Sequence, residues 1–285
     1  MGCRPRSNLE ALLLGVVQGL TEFLPISSSG HLILVPWLQN YTFLQENDAF
    51  NKTFDVALHA GTLVAAVAYF RVEVVMLLRG FWEAVRQRAI ATQEQRLAVA
   101  IAIGTVPAVI IGGLGSSFID EHLGEPWMIA IQLIFFGALL GYADRMPERR
   151  DLGDTNLRDG WIVGLAQVLA LAPGTSRSGI TITAARWLGL DRDAAARFSF
   201  LLLIPAIAGA TLYKAASAAH EGLPHGVAGP MIVGTIAAAA SGYWAISFLL
   251  RLLRTTSYRP FVLYRYAVGV AVLLIIATGL RPATF

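Results

Sequence analysis

The chain has 285 residues, of which 55% are apolar and 14% charged, with a net charge of +3 and a mean hydropathy of +0.59. Soluble domains carry about a quarter charged residues, so this composition argues against a water-soluble or secreted globule. The apolar residues fall in blocks of about 17–25, which excludes a coiled coil, a disordered chain and a membrane β-barrel of short alternating strands. The single cysteine, Cys3, excludes an intramolecular disulfide and a cysteine-based zinc site.

The first element, residues 9–24, is helical in pattern and stops at Pro25. Sixteen residues rise about 24 Å, short of the roughly 30 Å hydrocarbon core. Glu10, Gln18 and Glu22 interrupt this run and no small-residue cleavage site follows, so it is not read as a cleavable signal peptide. After Pro25 comes Ile-Ser-Ser-Ser-Gly-His, then a second short apolar piece at 28–39. Full spans are expected at 54–70, 97–115 and 127–143. A second short helix at 160–172 stops at Pro173, followed by Gly-Thr-Ser-Arg-Ser-Gly and another short piece at 176–190. Spans at 195–215, 228–250 and 262–280 complete the chain. Unwound backbone at membrane depth is tolerated only inside protein or beside a water-filled cavity. The expected fold is an all-α polytopic membrane protein, with six transmembrane helices plus two broken re-entrant helical hairpins arranged as an inverted repeat. A single domain covers 1–285, with one repeat at about 9–143 and the other at about 158–280.

The basic residues set the sides. Arg71, Arg79, Arg86, Arg88 and Arg96 lie in one connection, and Arg145, Arg149, Arg150 and Arg158 in another. Arg186, Arg192 and Arg197 follow the second hairpin, and Arg251, Arg254, Arg259 and Arg265 surround the last turn. The connections 116–126 and 216–227 hold neither Lys nor Arg. Basic loops face the cytoplasm. The six-span arrangement places all four basic groups there, with both termini outside, against the sign of Arg4 and Arg6. The first hairpin then opens outward and the second inward. Trp37, Trp82, Trp127 and Trp161 near span ends fit an interfacial aromatic belt.

At an offset of 149 residues, Gly15 matches Gly164 and Gln18 matches Gln167. Leu20 matches Leu169, Ser27 matches Ser176, Ser29 matches Ser178 and Gly30 matches Gly179. Each half therefore reads as a broken hairpin followed by three spans. Three is odd, so the halves take opposite orientations and their breaks meet near the midplane.

The breaks carry the chemistry. Gln18 and Glu22 are four apart and share one helix face. A carboxyl inside an apolar segment points to a functional site. Ser27, Ser28, Ser29 and Gly30 open the second half-helix, where hydroxyls cap and free N–H groups attract anions. Gly174, Thr175, Ser176, Arg177 and Ser178 repeat this geometry and add a guanidinium suited to phosphate oxygens. Together with His31 these groups suit a phosphorylated ligand, with Glu22 available for a divalent cation or for acid–base work. Each also has a plainer reading: Glu22 pairs with Arg177, His31 bonds within the bundle, and the serines cap. His59 and Gln132 are read as packing or network residues, and Lys52 and Asp55 as anchors at the outer face.

With these residues in view, the chain resembles the undecaprenyl-diphosphatase family, the bacitracin-resistance type of integral-membrane lipid phosphatase. The resemblance lies in Gly15-Val-Val-Gln-Gly-Leu-Thr-Glu-Phe-Leu-Pro-Ile-Ser-Ser-Ser-Gly-His31 and in Pro173-Gly-Thr-Ser-Arg-Ser-Gly179 with Thr181 and Thr183. The segments Lys52–Gly61 and Phe198–Pro205 extend it. It implies metal-assisted hydrolysis of undecaprenyl diphosphate to the monophosphate and inorganic phosphate, which recycles the lipid carrier of peptidoglycan synthesis and gives bacitracin resistance. By position, Ser28 is implied as the nucleophile or the residue that orients it, and Glu22 as metal ligand or base. His31 is implied in proton transfer and Arg177 as the diphosphate clamp, with Gln18, Ser27, Ser29, Gly30, Gly174, Thr175, Ser176 and Ser178 around the substrate. Gln18 stands where many members have Glu; an amide cannot act as a base, which leaves Glu22 as the main acidic group. The implied cofactor is a divalent cation, Mg2+ or Ca2+. The implied partners are a polyprenyl diphosphate, membrane lipids and a second copy of the chain, and not nucleic acid. The implied location is the bacterial inner membrane, with the site open to the periplasmic face. A lipid-phosphate flippase built on the same inverted repeat is the alternative.

Overall fold

The computed structural model describes residues 8–39, 48–221 and 228–284; the side chains of 48–52, 116–122 and 213–221 lie outside that description, Lys52 among them. Among the described residues the fold is all-helical. Helices α1 (Asn8–Phe23) and α2 (Ser28–Gln39) form the first broken pair. Helix α3 (Asp48–Tyr69) leads into α4 (Arg71–Gln87), and α5 (Gln93–His122) and α6 (Pro126–Ala143) complete the first half. Helices α7 (Leu157–Val168) and α8 (Arg177–Trp187) form the second broken pair. Helices α9 (Arg192–Glu221), α10 (Ala228–Leu252) and α11 (Arg259–Ala277) follow.

Among the described residues five helices, α5, α6, α9, α10 and α11, are long and apolar enough to cross a membrane, and α3 makes a sixth when joined with α4. They coincide with the six expected spans. Val109, Ile110, Leu114, Phe135, Ile236 and Leu274 point outward from them. Such an apolar exterior suits lipid, where backbone groups are already satisfied within each helix. One element departs from expectation. Residues 71–87, read as part of a basic connection, form α4, bent 86° from α3. Charges at Arg71, Glu73 and Arg79 stop the apolar run from continuing inward. Val72, Leu78 and Trp82 stay exposed along one face. That face with arginines beside it is the pattern of a helix lying along the membrane surface.

Proline and serine divide the broken pairs. Pro25 lacks an N–H and disfavours helix in the residue before it, so α1 ends at Phe23. Ser27 and Ser176 then take left-handed backbone, with φ of 77° and 73°. This conformation strains a residue with a side chain. Each serine offsets it by capping: Ser27 Oγ accepts from the Gly30 N–H at 3.3 Å, and Ser176 Oγ from the Gly179 N–H at 3.1 Å.

The short helices seat deeply. Helix α1 lies on α10 and α7 lies on α5. A Cβ at Gly15 would collide with the Gly234 carbonyl, and one at Gly164 with the Gly104 carbonyl. Small residues thus let the backbones touch, the usual route to close packing in a bilayer.

Ion pairs join the basic connections on one face. Arg192 pairs with Asp144 at 2.7 Å and Glu148 at 2.6 Å, and Arg197 with Glu73 at 3.5 Å. Asp144 also accepts from the Tyr258 N–H at 3.1 Å. Arg150 pairs with Asp159 at 2.5 Å, and this hydrogen bond raises the Arg150 pKa above its ordinary value. Two expectations need correction. Arg265 does not belong to this face: it is fully buried, because backbone carbonyls at the breaks take its guanidinium. Trp37 is also buried, donating to the Pro282 carbonyl at 3.1 Å, so it is not part of an exposed belt.

Candidate active site

Glu22 is the last residue but one of α1, on the face that meets α8. Its Oε1 accepts from Arg177 Nη2 at 2.8 Å, across 155 residues of chain. Its Oε2 accepts from Ser28 Oγ at 2.5 Å and from Gln18 Nε2 at 3.1 Å. Gln18 and Glu22 are both buried. Arg177 opens α8, and its Nη1 donates to the Ser199 carbonyl at 3.1 Å. Ser28 opens α2. The two charged residues that interrupt the apolar background at the breaks therefore meet, each at a helix end, with one serine hydroxyl on the carboxylate.

Other expected site residues hold the two breaks against each other. Ser27 Oγ accepts from the Gly174 N–H at 3.2 Å, and Ser178 Oγ donates to the Leu24 carbonyl at 3.2 Å. Ser27 and Ser29 hydroxyls lie 3.5 Å apart, and Ser176 and Ser178 hydroxyls 3.3 Å apart, the same relation in each half. Thr175 Oγ1 donates to Gln132 Oε1 at 3.0 Å. Gly30 and Gly174 sit where a side chain would crowd Ile129, and Gly174 has φ of 104°. Thr181 Oγ1 bonds Ser199 Oγ at 2.7 Å behind Arg177.

His31 stands apart. Its Nδ1 donates to the Ser27 carbonyl at 2.7 Å, and its Nε2 lies 2.8 Å from the Tyr264 hydroxyl. Both ring nitrogens are thus engaged away from Glu22, Ser28 and Arg177. The imidazole that approaches the carboxylate is His59 of α3. Its Nδ1 donates to the Asp55 carbonyl at 2.7 Å, which leaves Nε2 facing Glu22 Oε2 at 3.9 Å. Its side chain is 34% exposed, so the site is reachable from that flank. His59, read as a network residue, is one, but at the centre. Its sequence signal was a lone polar residue on an apolar span, with nothing to say which way it faced.

The site contains hard oxygen donors for a cation. Gln18 Oε1 is buried and has no hydrogen-bond partner among the described residues, next to the Glu22 carboxylate. No cluster of three or more His, Cys, Asp or Glu occurs among the described residues. The donors therefore suit a cation that takes most of its ligands from phosphate and water, as Mg2+ commonly does.

Comparison with known proteins follows the same residues. The family model described as "Bacitracin resistance protein BacA" matches residues 11–271. A protein of Pelobacter propionicus named undecaprenyl-diphosphatase is 44% identical over 274 residues, covering 95% of this chain and 98% of that protein. Proteins of the same name from Geobacter sulfurreducens and Hahella chejuensis are 47% and 45% identical, each covering 93% of this chain and 97% of theirs. A family match across nearly the whole chain, both breaks included, makes this protein a member of the bacitracin resistance protein BacA family.

Proposed function

We propose that the protein hydrolyses undecaprenyl diphosphate to undecaprenyl phosphate and inorganic phosphate, returning the lipid carrier to cell-wall synthesis and giving tolerance to bacitracin. The observation that carries this reading is the contact of Glu22 with Arg177 on one side and Ser28 on the other. An anion-binding guanidinium, a carboxylate and a hydroxyl on that carboxylate are the groups that phosphoryl transfer needs.

The isoprenoid tail lies in lipid between helices while the diphosphate enters the polar centre. Arg177 turns its guanidinium from Glu22 to the phosphate oxygens, helped by the first-turn N–H groups of α2 and α8. Glu22 Oε2 takes the Ser28 proton as Ser28 Oγ attacks the terminal phosphorus. The Oγ–P bond forms and the bridging P–O bond breaks, which releases the lipid monophosphate. Glu22 passes that proton to the departing lipid phosphate oxygen and is ionised again. Water then attacks the phosphoserine and gives its proton to Glu22; the P–Oγ bond breaks as Glu22 returns the proton to Ser28 Oγ, and inorganic phosphate leaves. Gln18 orients the carboxylate through its amide N–H. Glu22 and the Gln18 amide oxygen would hold a divalent cation, which when bound supplies charge neutralisation at the diphosphate.

The arrangement in the membrane belongs to the same reading. The packed pairs α1–α10 and α7–α5, and α3–α10 and α9–α5, exchange when the halves are swapped, while α6–α11 and α3–α9 map onto themselves. This supports a repeat; three spans per half make it inverted, and the basic residues of the ion-paired connections assign that face to the cytoplasm, which leaves the catalytic centre opening to the periplasm. Phosphate release from a polyprenyl diphosphate by pure protein in detergent tests the function, since transport is impossible there. Release that stops with a chelator and returns with Mg2+ or Ca2+ agrees with the proposal. Absence of release, together with movement of lipid phosphate across vesicle membranes, favours the flippase instead.

A further inference from the structure

Arg265 is a fully buried arginine in the second turn of the apolar helix α11, and among the described residues it has no carboxylate partner. Its whole guanidinium is spent on backbone carbonyls. Nε donates to Leu133 at 3.1 Å and Nη1 to Pro25 at 3.2 Å. Nη2 donates to Gly174 at 3.1 Å and Thr175 at 2.9 Å, with Gln132 at 3.5 Å. Pro25 belongs to the first break, and Gly174 and Thr175 to the second. Space for the group is left by Gly179, where a Cβ would lie 2.8 Å from Arg265 Nη1.

A buried cation is costly unless hydrogen bonds and an opposite charge compensate it. Five carbonyls lower that cost but leave the charge. The centre then holds Arg177, Arg265 and Glu22, a net of one positive charge, and the two helix N-termini add about +0.5 each. The resting protein is therefore short of negative charge where the diphosphate is to bind. A planar fork of donors is also the side chain best able to fix several carbonyls at once, which an ammonium cannot match.

We propose that Arg265 is a positioning residue of the phosphate site: it ties both helix breaks to one guanidinium, aligning Ser28 with Arg177, and its unpaired charge is balanced by the substrate. This rests on the phosphatase reading above. Arg265→Lys keeps the charge and loses the fork. Its kcat for phosphate release is expected to fall about 100-fold with KM within about 3-fold of wild type, since misplacement of this order has that effect on rate. Arg265→Met loses the charge as well: its KM is expected to rise, and inorganic pyrophosphate, expected to raise the thermal unfolding midpoint of the wild type, is expected to leave that of the variant unchanged. If Arg265→Lys does not fold, Gly179→Ala, which presses on Nη1, is expected to lower kcat about 10-fold at unchanged KM. Arg265→Lys or Gly179→Ala with wild-type kcat, or pyrophosphate protection intact in Arg265→Met, overturns the proposal. Wild-type protein that releases no phosphate overturns the phosphatase reading instead.

Discussion

At the scale of single residues, the decisive contact is short and mutual: Ser28 Oγ on Glu22 at 2.5 Å, with Arg177 on the other carboxylate oxygen at 2.8 Å. If Ser28 is the nucleophile, Ser28→Ala loses at least about 1,000-fold in kcat, measured as phosphate release. A loss of only a few-fold would assign the attack to water. Arg177→Ala also leaves Glu22 buried and uncompensated, which costs roughly 3–5 kcal/mol of stability. Unfolding in detergent should show that loss, and Glu22→Gln combined with Arg177→Met should recover most of it. Glu22 and Arg177 were legible as candidates because charges are rare in apolar segments, and their separation of 155 residues was bridged by the internal repeat. His31 and His59 were not separable in this way. Each is a lone imidazole among apolar residues, and only the backbone carbonyl that pins each ring decides its direction. Arg265 misled for a related reason. It lies just inside a span whose first turn is basic, so sequence alone placed it with Arg259 on the surface.

At the scale of elements, two short helices work because their neighbours supply what length does not. Helices α1 and α7 sit backbone to backbone on α10 and α5. Gly164→Leu should drive α7 from α5 and lower stability by about 3 kcal/mol or more, whereas Gly113→Leu on the open side of α5 should be close to neutral. Thermal unfolding of both in one detergent checks the contrast. Equal behaviour would remove the packing argument. The broken pairs were readable from Pro25 and Pro173 and from helix lengths below the bilayer thickness. Helix α4 was not, because arginines spaced along a half-apolar segment look the same in a loop as on a helix at the membrane surface. Its 86° bend from α3 is a property of the fold around Phe70.

At the scale of the whole molecule, ion pairs gather the connections on one face, and the two breaks meet between the halves. In a Cys3→Ser background, Arg145→Cys should react with a membrane-impermeant thiol reagent only after cells are opened. Gly124→Cys, which meets no neighbour within 4 Å, should react in intact cells. The reverse pattern would invert the topology. The central claim is that both breaks form one hydrolytic centre, with Glu22 from the first and Arg177 from the second. It is tested most directly by phosphate release from undecaprenyl diphosphate by the purified wild type and the Glu22→Gln/Arg177→Met double variant, both confirmed as folded in detergent. Turnover by the wild type and a loss of at least about 1,000-fold in the double variant is the predicted result. Near-normal release by the folded double variant would contradict it.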